Sequence, residues 1–270
     1  MATRLAFALV LALLAAMPAL ADPPFDAKDP AMARFQAGAK RSGYTFAEPE
    51  TRAMQDDDFM NPAMLWAEKG ETLWSTVDGE AGKSCASCHG KAEDSMKTVG
   101  AHYPKYDPSQ RRVINLEQRI NICRSQAMAA PEWKYESEPL LAMTTYVKMQ
   151  SRGQTVAVAV DGPAAPWFEA GRRFYFERRG LNDVACNHCH IDNWGRHLRT
   201  ELLSQGMSNG FPSYRLKWQK LGSLHRRLAG CNEEIRAEPY PLGSFEYVAL
   251  ELYLAWRAAG LQVETPSVRK

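Results

Sequence analysis

The sequence predicts a mainly α-helical protein that consists of two tandem domains related by internal duplication, and three observations support this. The pentapeptide pattern C-x-x-C-H occurs twice, at Cys85–His89 and at Cys186–His190. An ungapped alignment of the two copies also pairs a tryptophan and a glycine upstream of each. Around each glycine, apolar residues recur at helical spacing. The paired upstream residues are Trp66 with Trp167 and Gly70 with Gly171.

The first residues of the chain differ from the rest and predict a secretory signal peptide. Arg4 is followed by a short apolar run from 5 to 17, and Ala19-Leu20-Ala21 has the small-x-small pattern of a cleavage site. An uncleaved anchor is the alternative, but the run is short and no later stretch approaches the roughly 20 apolar residues of a membrane span. We therefore expect cleavage after Ala21, no membrane span, and a periplasmic protein.

The bulk composition is that of an ordinary globular protein. Hydrophobic residues make up 45% and charged residues 24% of the 270 residues, a length that suits two domains. The 33 basic residues nearly balance the 31 acidic ones, so no overall positive field attracts a polyanion. Nucleic acid is therefore not an expected partner.

A second alignment of the two halves is centred on the two cysteines outside the pentapeptides, Cys123 and Cys231. Several residues upstream of these cysteines also agree without a gap, whereas the loops that follow His89 and His190 differ in length. Such insertions are what surface loops tolerate. The matched residues are Tyr103-Pro104 with Phe211-Pro212, Tyr106 with Tyr214, Leu116 with Leu224, and Arg119 with Arg227.

Each half ends in a predicted helix, one beginning after Ser137 and the other after Ser244. Between the halves, residues 155–166 predict a connector that could hold one short strand. The expected domains are therefore 22–154 and 167–270. The periodicity alone indicates only that each half is mostly helical. With the C-x-x-C-H motif added, the order of helix, motif, long loop, second ligand and closing helix resembles the all-α cytochrome c fold.

The two pentapeptides predict two covalently bound haem c groups. In C-x-x-C-H the thiols form thioether links to the haem, and the histidine becomes an axial ligand of the iron. His89 and His190 are therefore the expected first axial ligands. The expected attachment cysteines are Cys85, Cys88, Cys186 and Cys189.

The second axial ligand is predicted to be a cysteine in both halves. Methionines follow both motifs but do not occupy matching positions, whereas Cys123 and Cys231 do. A disulfide between these two cysteines is an alternative in an oxidising compartment. Ligation is favoured because each cysteine belongs to its own haem domain. Thiolate ligands would favour ferric iron and low potentials.

The motifs and the segment His225-Arg226-Arg227-Leu228-Ala229-Gly230-Cys231-Asn232 resemble the SoxA subunits of SoxAX cytochromes, over essentially the whole mature chain. This resemblance implies a haem-dependent L-cysteine S-thiosulfotransferase, in which Cys231 is both iron ligand and catalytic cysteine. It also implies that Arg227 binds the anionic substrate and that Cys123 is only a ligand.

The resemblance further implies a set of partners. These are thiosulfate, a small monohaem cytochrome c subunit (SoxX-like) in a heterodimer, a thiol-bearing sulfur carrier protein (SoxYZ-like) and a soluble cytochrome c acceptor.

Other functions remain open from the residues alone. A dihaem thiosulfate dehydrogenase that forms tetrathionate could use the same His/Cys iron site, and a plain electron-transfer cytochrome needs only the ligands. The repeat does not indicate which half holds the catalytic site, because Arg119 precedes Cys123 as Arg227 precedes Cys231.

Overall fold

The computed structural model describes residues 30–270, and this part of the chain is mainly helical, as predicted. The leader expected at residues 1–21 lies outside the described residues. Among residues 30–270, no helix is long and apolar enough to cross a membrane. The helices are α1 (Pro49–Asp56), α2 (Met64–Ser75), α3 (Cys85–His89), α4 (Ala92–Ser95), α5 (Leu116–Ala127), α6 (Glu138–Met149), α7 (Ala165–Phe176), α8 (Cys186–His190), α9 (Leu224–Glu234) and α10 (Phe245–Arg257).

The strands are short and lie in four small sheets within the described part of the chain. Three sheets are antiparallel pairs, and the fourth has three strands in the order β8-β7-β9, in which β7 and β9 are parallel. The strands are β1 (Gln36–Ala37), β2 (Lys40–Arg41), β3 (Lys105–Asp107), β4 (Arg112–Ile114), β5 (His197–Leu198), β6 (Glu201–Leu202), β7 (Ser213–Arg215), β8 (Lys220–Gly222) and β9 (Ser267–Arg269).

The same order of elements occurs twice, which agrees with the predicted duplication. In the first half α2 leads to the motif helix α3, the hairpin β3-β4, helix α5 with Cys123, and the closing helix α6. In the second half α7, α8, β7-β8, α9 with Cys231, and α10 follow in that order. The first and last helices of each half pack against each other.

The two glycines matched in the sequence lie where these helices cross. A Cβ atom on Gly70 would overlap the backbone carbonyl of Ala142 in α6, and one on Gly171 would overlap that of Ala249 in α10. Only glycine permits so close an approach between two helix backbones. The matched glycines therefore set the distance between the first and last helix of each half.

A buried polar network joins the halves. Asn115, the N-cap of α5, donates through Nδ2 to Glu251 Oε2 at 3.0 Å, and His225 Nε2 lies 2.9 Å from the same oxygen. The backbone N–H of Gly243 donates to His225 Nδ1, so the imidazole proton is on Nε2 and faces the carboxylate. Tyr135 stacks on the His225 ring. This contact region therefore consists of paired polar groups as well as apolar packing.

The segment expected as a connector contains no extended strand. Its backbone instead hydrogen-bonds to both halves, because Val156 N–H donates to Leu261 O and Ala157 N–H donates to Ala101 O. Thr155 forms only an isolated bridge with Gln262. The division of the chain into domains at this segment stays a prediction.

The described N-terminal segment packs on the second half. Arg41 N–H donates to Gln205 Oε1 at 2.8 Å, and the ring of Phe46 lies edge-on to that of Trp194, with centroids 6.1 Å apart. Gln55 Oε1 accepts from the backbone N–H of Val268 in β9. Residues early in the chain thus cover the part of the second half that follows its C-x-x-C-H motif.

Candidate haem sites and substrate pocket

Both C-x-x-C-H motifs form a short helix with a side-chain cap. Ser84 Oγ accepts from the N–H of Ser87, and Ser87 Oγ accepts from the N–H of Ser84. In the second motif His188 takes the place of Ser87, and its Nδ1 accepts from the N–H of Ala185 at 2.9 Å. No local pattern in the sequence indicates this role for His188. The structure shows that it caps the motif helix and uses Nδ1 for that contact.

His190 is held in an orientation that suits an axial ligand. Its Nδ1 lies 2.7 Å from the carbonyl oxygen of Ser204, so Nδ1–H donates to that oxygen and Nε2 is left for a metal. Burial lowers the pKa of His190 to about 4, which keeps the imidazole neutral. Gly206, with φ +67°, lies so close that an added Cβ would be 2.8 Å from His190 Cγ. The segment containing Ser204 and Gly206 was not predicted to contact the site.

His89 has a more open environment than His190. Its side chain is exposed in the polypeptide, and the ring of Trp74 lies 5.9 Å from it. Trp74 Nε1 donates to the carbonyl oxygen of Gly90 at 2.9 Å, which fixes the indole beside the motif. The two proximal histidines therefore differ in how firmly the surrounding chain positions them.

The two remaining cysteines lie beside the motif of their own half. Burial, and then the nearby Cys123 sulfur, raise the pKa of the Cys85 thiol. Burial, and then the Cys231 sulfur, raise the pKa of the Cys186 thiol to about 12. No disulfide joins any of the six cysteines, all of which lie within residues 30–270, so Cys123 and Cys231 are not bridged. In each half the lone cysteine therefore lies near the first cysteine of the motif.

This donor set fits haem c. Two thiols of each C-x-x-C-H would carry the thioether links of a bound haem, and the motif histidine would offer a nitrogen to its iron. The lone cysteine on a neighbouring helix is a further candidate ligand. The tautomer imposed on His190 by Ser204 and the space left by Gly206 are further features expected of an iron-binding imidazole.

Arg227 lies beside Cys231, one helical turn before it in α9. Cys231 is the largest influence that raises the pKa of the Arg227 guanidinium, so the two groups lie close together. The nearest acid, Glu234, lies 3.5 Å from Arg227 Nη1 and is itself 51% exposed. A guanidinium with so weak a partner can bind an oxyanion next to the sulfur.

The matching arginine of the first half, Arg119, differs from Arg227 in its ion pairing. Arg119 forms an ion pair with Asp107, whose carboxylate is buried. The first site therefore holds a neutralised arginine, whereas the second holds one that is available to an anion. This difference distinguishes two halves that the sequence repeat leaves equivalent.

The three other histidines lie away from the haem motifs or on the surface. His225 belongs to the network between the halves, His102 Nδ1 lies 2.6 Å from the carbonyl oxygen of Ala157, and His197 is exposed in β5.

Comparison with known proteins places the chain among sulfur-oxidation cytochromes. Residues 69–156 match the family model described as SoxA/TsdA, cytochrome c domain. The chain is 47% identical over 230 residues to the L-cysteine S-thiosulfotransferase subunit SoxA of Pseudaminobacter salicylatoxidans, covering 85% of this chain and 80% of that protein. It is 46% identical over 229 residues to the corresponding subunit of Rhodovulum sulfidophilum, with the same coverage of both chains.

A solved structure shows the same fold. The crystal structure of SoxXA from P. pantotrophus matches with a TM-score of 0.83 and 40% sequence identity. The match covers 86% of this chain and 87% of that chain.

Proposed function

This chain belongs to the SoxA family and carries haem c, and from this we propose that it joins thiosulfate to a cysteine of a carrier protein. As in the relatives named L-cysteine S-thiosulfotransferase subunits, the reaction is an oxidative formation of a sulfur–sulfur bond. The electrons leave through haem to an acceptor cytochrome. Cys231 and Arg227 in the second half are the proposed catalytic and substrate-binding residues.

The proposed chemistry has two balanced steps. In the first, the Cys231 thiolate and thiosulfate form Cys231–S–S–SO₃⁻, and two electrons are released. In the second, a carrier thiolate attacks the sulfane sulfur, forms carrier–S–S–SO₃⁻ and releases the Cys231 thiolate. Haem bound at the motif supplies the route by which the electrons leave. Thiolates are the reactive form in such sulfur exchange.

The placement of Arg227 beside Cys231 is the observation that carries this proposal. Its guanidinium can hold the sulfonate oxygens of thiosulfate while the sulfane sulfur faces Cys231. Arg119 in the first half is paired with Asp107, which supports assigning catalysis to the second half.

We further propose a two-haem protein whose axial ligand pairs are His89 with Cys123 and His190 with Cys231. The attachment cysteines are Cys85, Cys88, Cys186 and Cys189. In this arrangement the first haem relays electrons or has a structural role, since its arginine is neutralised. An intact mass showing two haems would support this count.

The proposed partners follow from the same family. The solved relative is a SoxXA complex, so we propose a heterodimer with a small monohaem cytochrome c subunit. A SoxYZ-like carrier provides the acceptor thiol, and a soluble cytochrome c accepts the electrons. We propose the periplasm as the location, with the leader removed after Ala21.

The function is tested by incubating the purified complex with thiosulfate, carrier protein and oxidised cytochrome c. We expect the carrier cysteine to gain the mass of one thiosulfate group while two equivalents of cytochrome c are reduced. A carrier whose cysteine is blocked by alkylation is the control and should stop the reaction. Abundant tetrathionate formed without carrier would contradict the proposal and indicate a thiosulfate dehydrogenase.

A further inference from the structure

The two halves differ by a reversal of charge at one position of a matched hairpin. Strand β3 pairs with β4, and β7 pairs with β8, in the same antiparallel register. Tyr106 in β3 corresponds to Tyr214 in β7, so the next residues, Asp107 and Arg215, are also equivalent. A carboxylate at the end of the first hairpin strand is thus replaced by a guanidinium in the second.

In the first half the carboxylate neutralises the arginine that precedes the lone cysteine. Asp107 is 4% exposed and forms an ion pair with Arg119. Its other oxygen accepts hydrogen bonds from Ser109, through the backbone N–H at 2.8 Å and through Oγ at 2.7 Å. The carboxylate is therefore held in place, and the charge of Arg119 is satisfied within the protein.

In the second half both equivalent positions are positive. Arg215 and Arg227 are close enough to affect each other, since burial and then Arg227 lower the pKa of Arg215 to about 10. Both groups are thus protonated at neutral pH. The pKa of Arg215 also responds to Cys231, which places its charge near the same sulfur.

Arg215 lacks the partners that a structural arginine would have. Its Nε is buried and has no hydrogen-bond partner among residues 30–270, and its guanidinium packs over the Trp218 ring, 5.2 Å from the centroid. Glu201 and Glu234 are the acids that influence it, and Glu234 is 51% exposed. A buried donor without a partner costs free energy unless a ligand satisfies it.

We propose that Arg215 is a second substrate-binding residue, and that Arg215 and Arg227 together form a site for a sulfur oxoanion of charge −2 beside Cys231. This inference rests on the proposed function and deepens it. Two guanidinium groups balance the two charges of thiosulfate and offer donors to several oxygens. Asp107 at the equivalent position explains why the first half is not such a site.

The test measures binding of thiosulfate to the complex of this chain with its monohaem subunit by calorimetry without carrier protein, so that turnover does not contribute. We expect Arg215→Gln to weaken binding by about tenfold or more, because charge-assisted hydrogen bonds are lost. Arg215→Lys keeps the positive charge but loses the planar guanidinium with its several N–H donors. The affinity of this variant for thiosulfate should therefore lie between those of Arg215→Gln and the wild type. In steady state, KM for thiosulfate should rise more than kcat falls.

Arg226→Gln is the matched control. Arg226 packs on the same Trp218 ring and lies 3.6 Å from Glu136, so its replacement removes a neighbouring positive charge without changing the proposed site. We expect the affinity of Arg226→Gln for thiosulfate to stay within about twofold of the wild type, because salt screens a charge that does not contact the anion.

The outcomes separate this inference from the function on which it rests. Wild-type affinity in Arg215→Gln with both haems retained would overturn it, as would an equal loss in Arg226→Gln. If Arg215→Gln does not fold, wild-type affinity in Arg215→Lys overturns it. If binding depends on Arg215 but the wild-type complex does not modify the carrier, the anion site stands and the proposed function fails.

Discussion

At the scale of single residues, Cys123 and Cys231 provide a matched pair for testing which sulfur reacts. We expect Cys231→Met to lower the conjugation rate on the order of a thousandfold, because a thioether can ligate iron but has no thiolate with which to form the sulfur–sulfur bond. Carrier modification by mass spectrometry and haem content by absorbance are the measurements.

Cys123→Met serves as the control for that substitution. The first half has a neutralised arginine, so we expect this variant to keep most of its conjugation activity and to change mainly the potential of the first haem. Activity that survives in Cys231→Met but is lost in Cys123→Met would contradict the assignment of catalysis to the second half.

Gly206 is a second residue whose replacement should act directly on a haem ligand. Gly206→Ala places a Cβ 2.8 Å from His190 Cγ at a φ of +67°, so we expect the ring to move and the free energy of unfolding to fall by about 2–4 kcal/mol. The absorption spectrum of the second haem and a denaturant titration measure the two effects.

Gly82→Ala separates backbone strain from contact with the histidine. Gly82 has φ +59° but no atom near its Cβ position, so the cost should be about 1 kcal/mol, with an unchanged haem spectrum. Equal effects of the two substitutions would show that His190 does not depend on the space at Gly206.

At the scale of elements, the close helix crossings at Gly70 and Gly171 should dominate the stability of each half. We expect Gly171→Ala to lower the free energy of unfolding by about 2–4 kcal/mol, because its Cβ would overlap the Ala249 carbonyl. Gly70→Ala should lower the free energy of unfolding by a similar amount, because its Cβ would overlap the Ala142 carbonyl in the first half. Thermal unfolding of the two-haem protein measures both.

Glu169→Ala on the same helix is the control for Gly171→Ala. Glu169 pairs with Arg172 on the surface, where ion pairs contribute little, so we expect a change within about 0.5 kcal/mol. A comparable loss from Glu169→Ala would show that α7 is sensitive to any substitution and that the crossing has no special role.

The elements also show which parts of the fold the sequence predicts. The helices after Ser137 and Ser244 are found at Glu138–Met149 and Phe245–Arg257, because apolar spacing is a local signal. Ser244 caps its helix through Oγ as expected, whereas Ser137 stands at the N-cap position but makes no side-chain capping bond. The pairing of β9 with β7 depends on residues far apart in the chain, and no local pattern indicates it. The same holds for the contact of Ser204 with His190.

The candidate site shows a similar division between local and distant information. Cys85–His89 and Cys186–His190 are recognisable because covalent attachment fixes both residue types and spacing. The difference between Arg119 and Arg227 is not visible in their own segments. It depends on Asp107 and its replacement by Arg215, which only the hairpin geometry brings to the two arginines.

At the scale of the whole molecule, the polar network between the halves should make stability depend on pH. Burial and then Glu251 raise the pKa of Glu117 to about 7, above its value in the unfolded chain. Between about pH 4.5 and 7 the unfolded chain therefore loses a proton that the folded chain keeps, so the contribution of Glu117 to stability falls as pH rises.

We expect Glu117→Gln to be more stable than the wild type by about 1–3 kcal/mol above pH 7 and to differ little near pH 4.5. His225, Lys148 and Glu251 remain in the variant, so the change isolates one carboxyl group. Chemical unfolding across this pH range is the measurement. A stability difference that does not vary with pH would contradict the raised pKa.

The packing of the N-terminal segment on the second half has a consequence for biogenesis. Phe46 lies against Trp194 and Arg41 binds Gln205, so residues made early in synthesis cover the chain just beyond the second pentapeptide. We expect haem attachment at Cys186 and Cys189 to be easier before this segment docks, because the docked segment fixes the residues that follow the pentapeptide. A segment that lies early in the chain would then take its place late in folding.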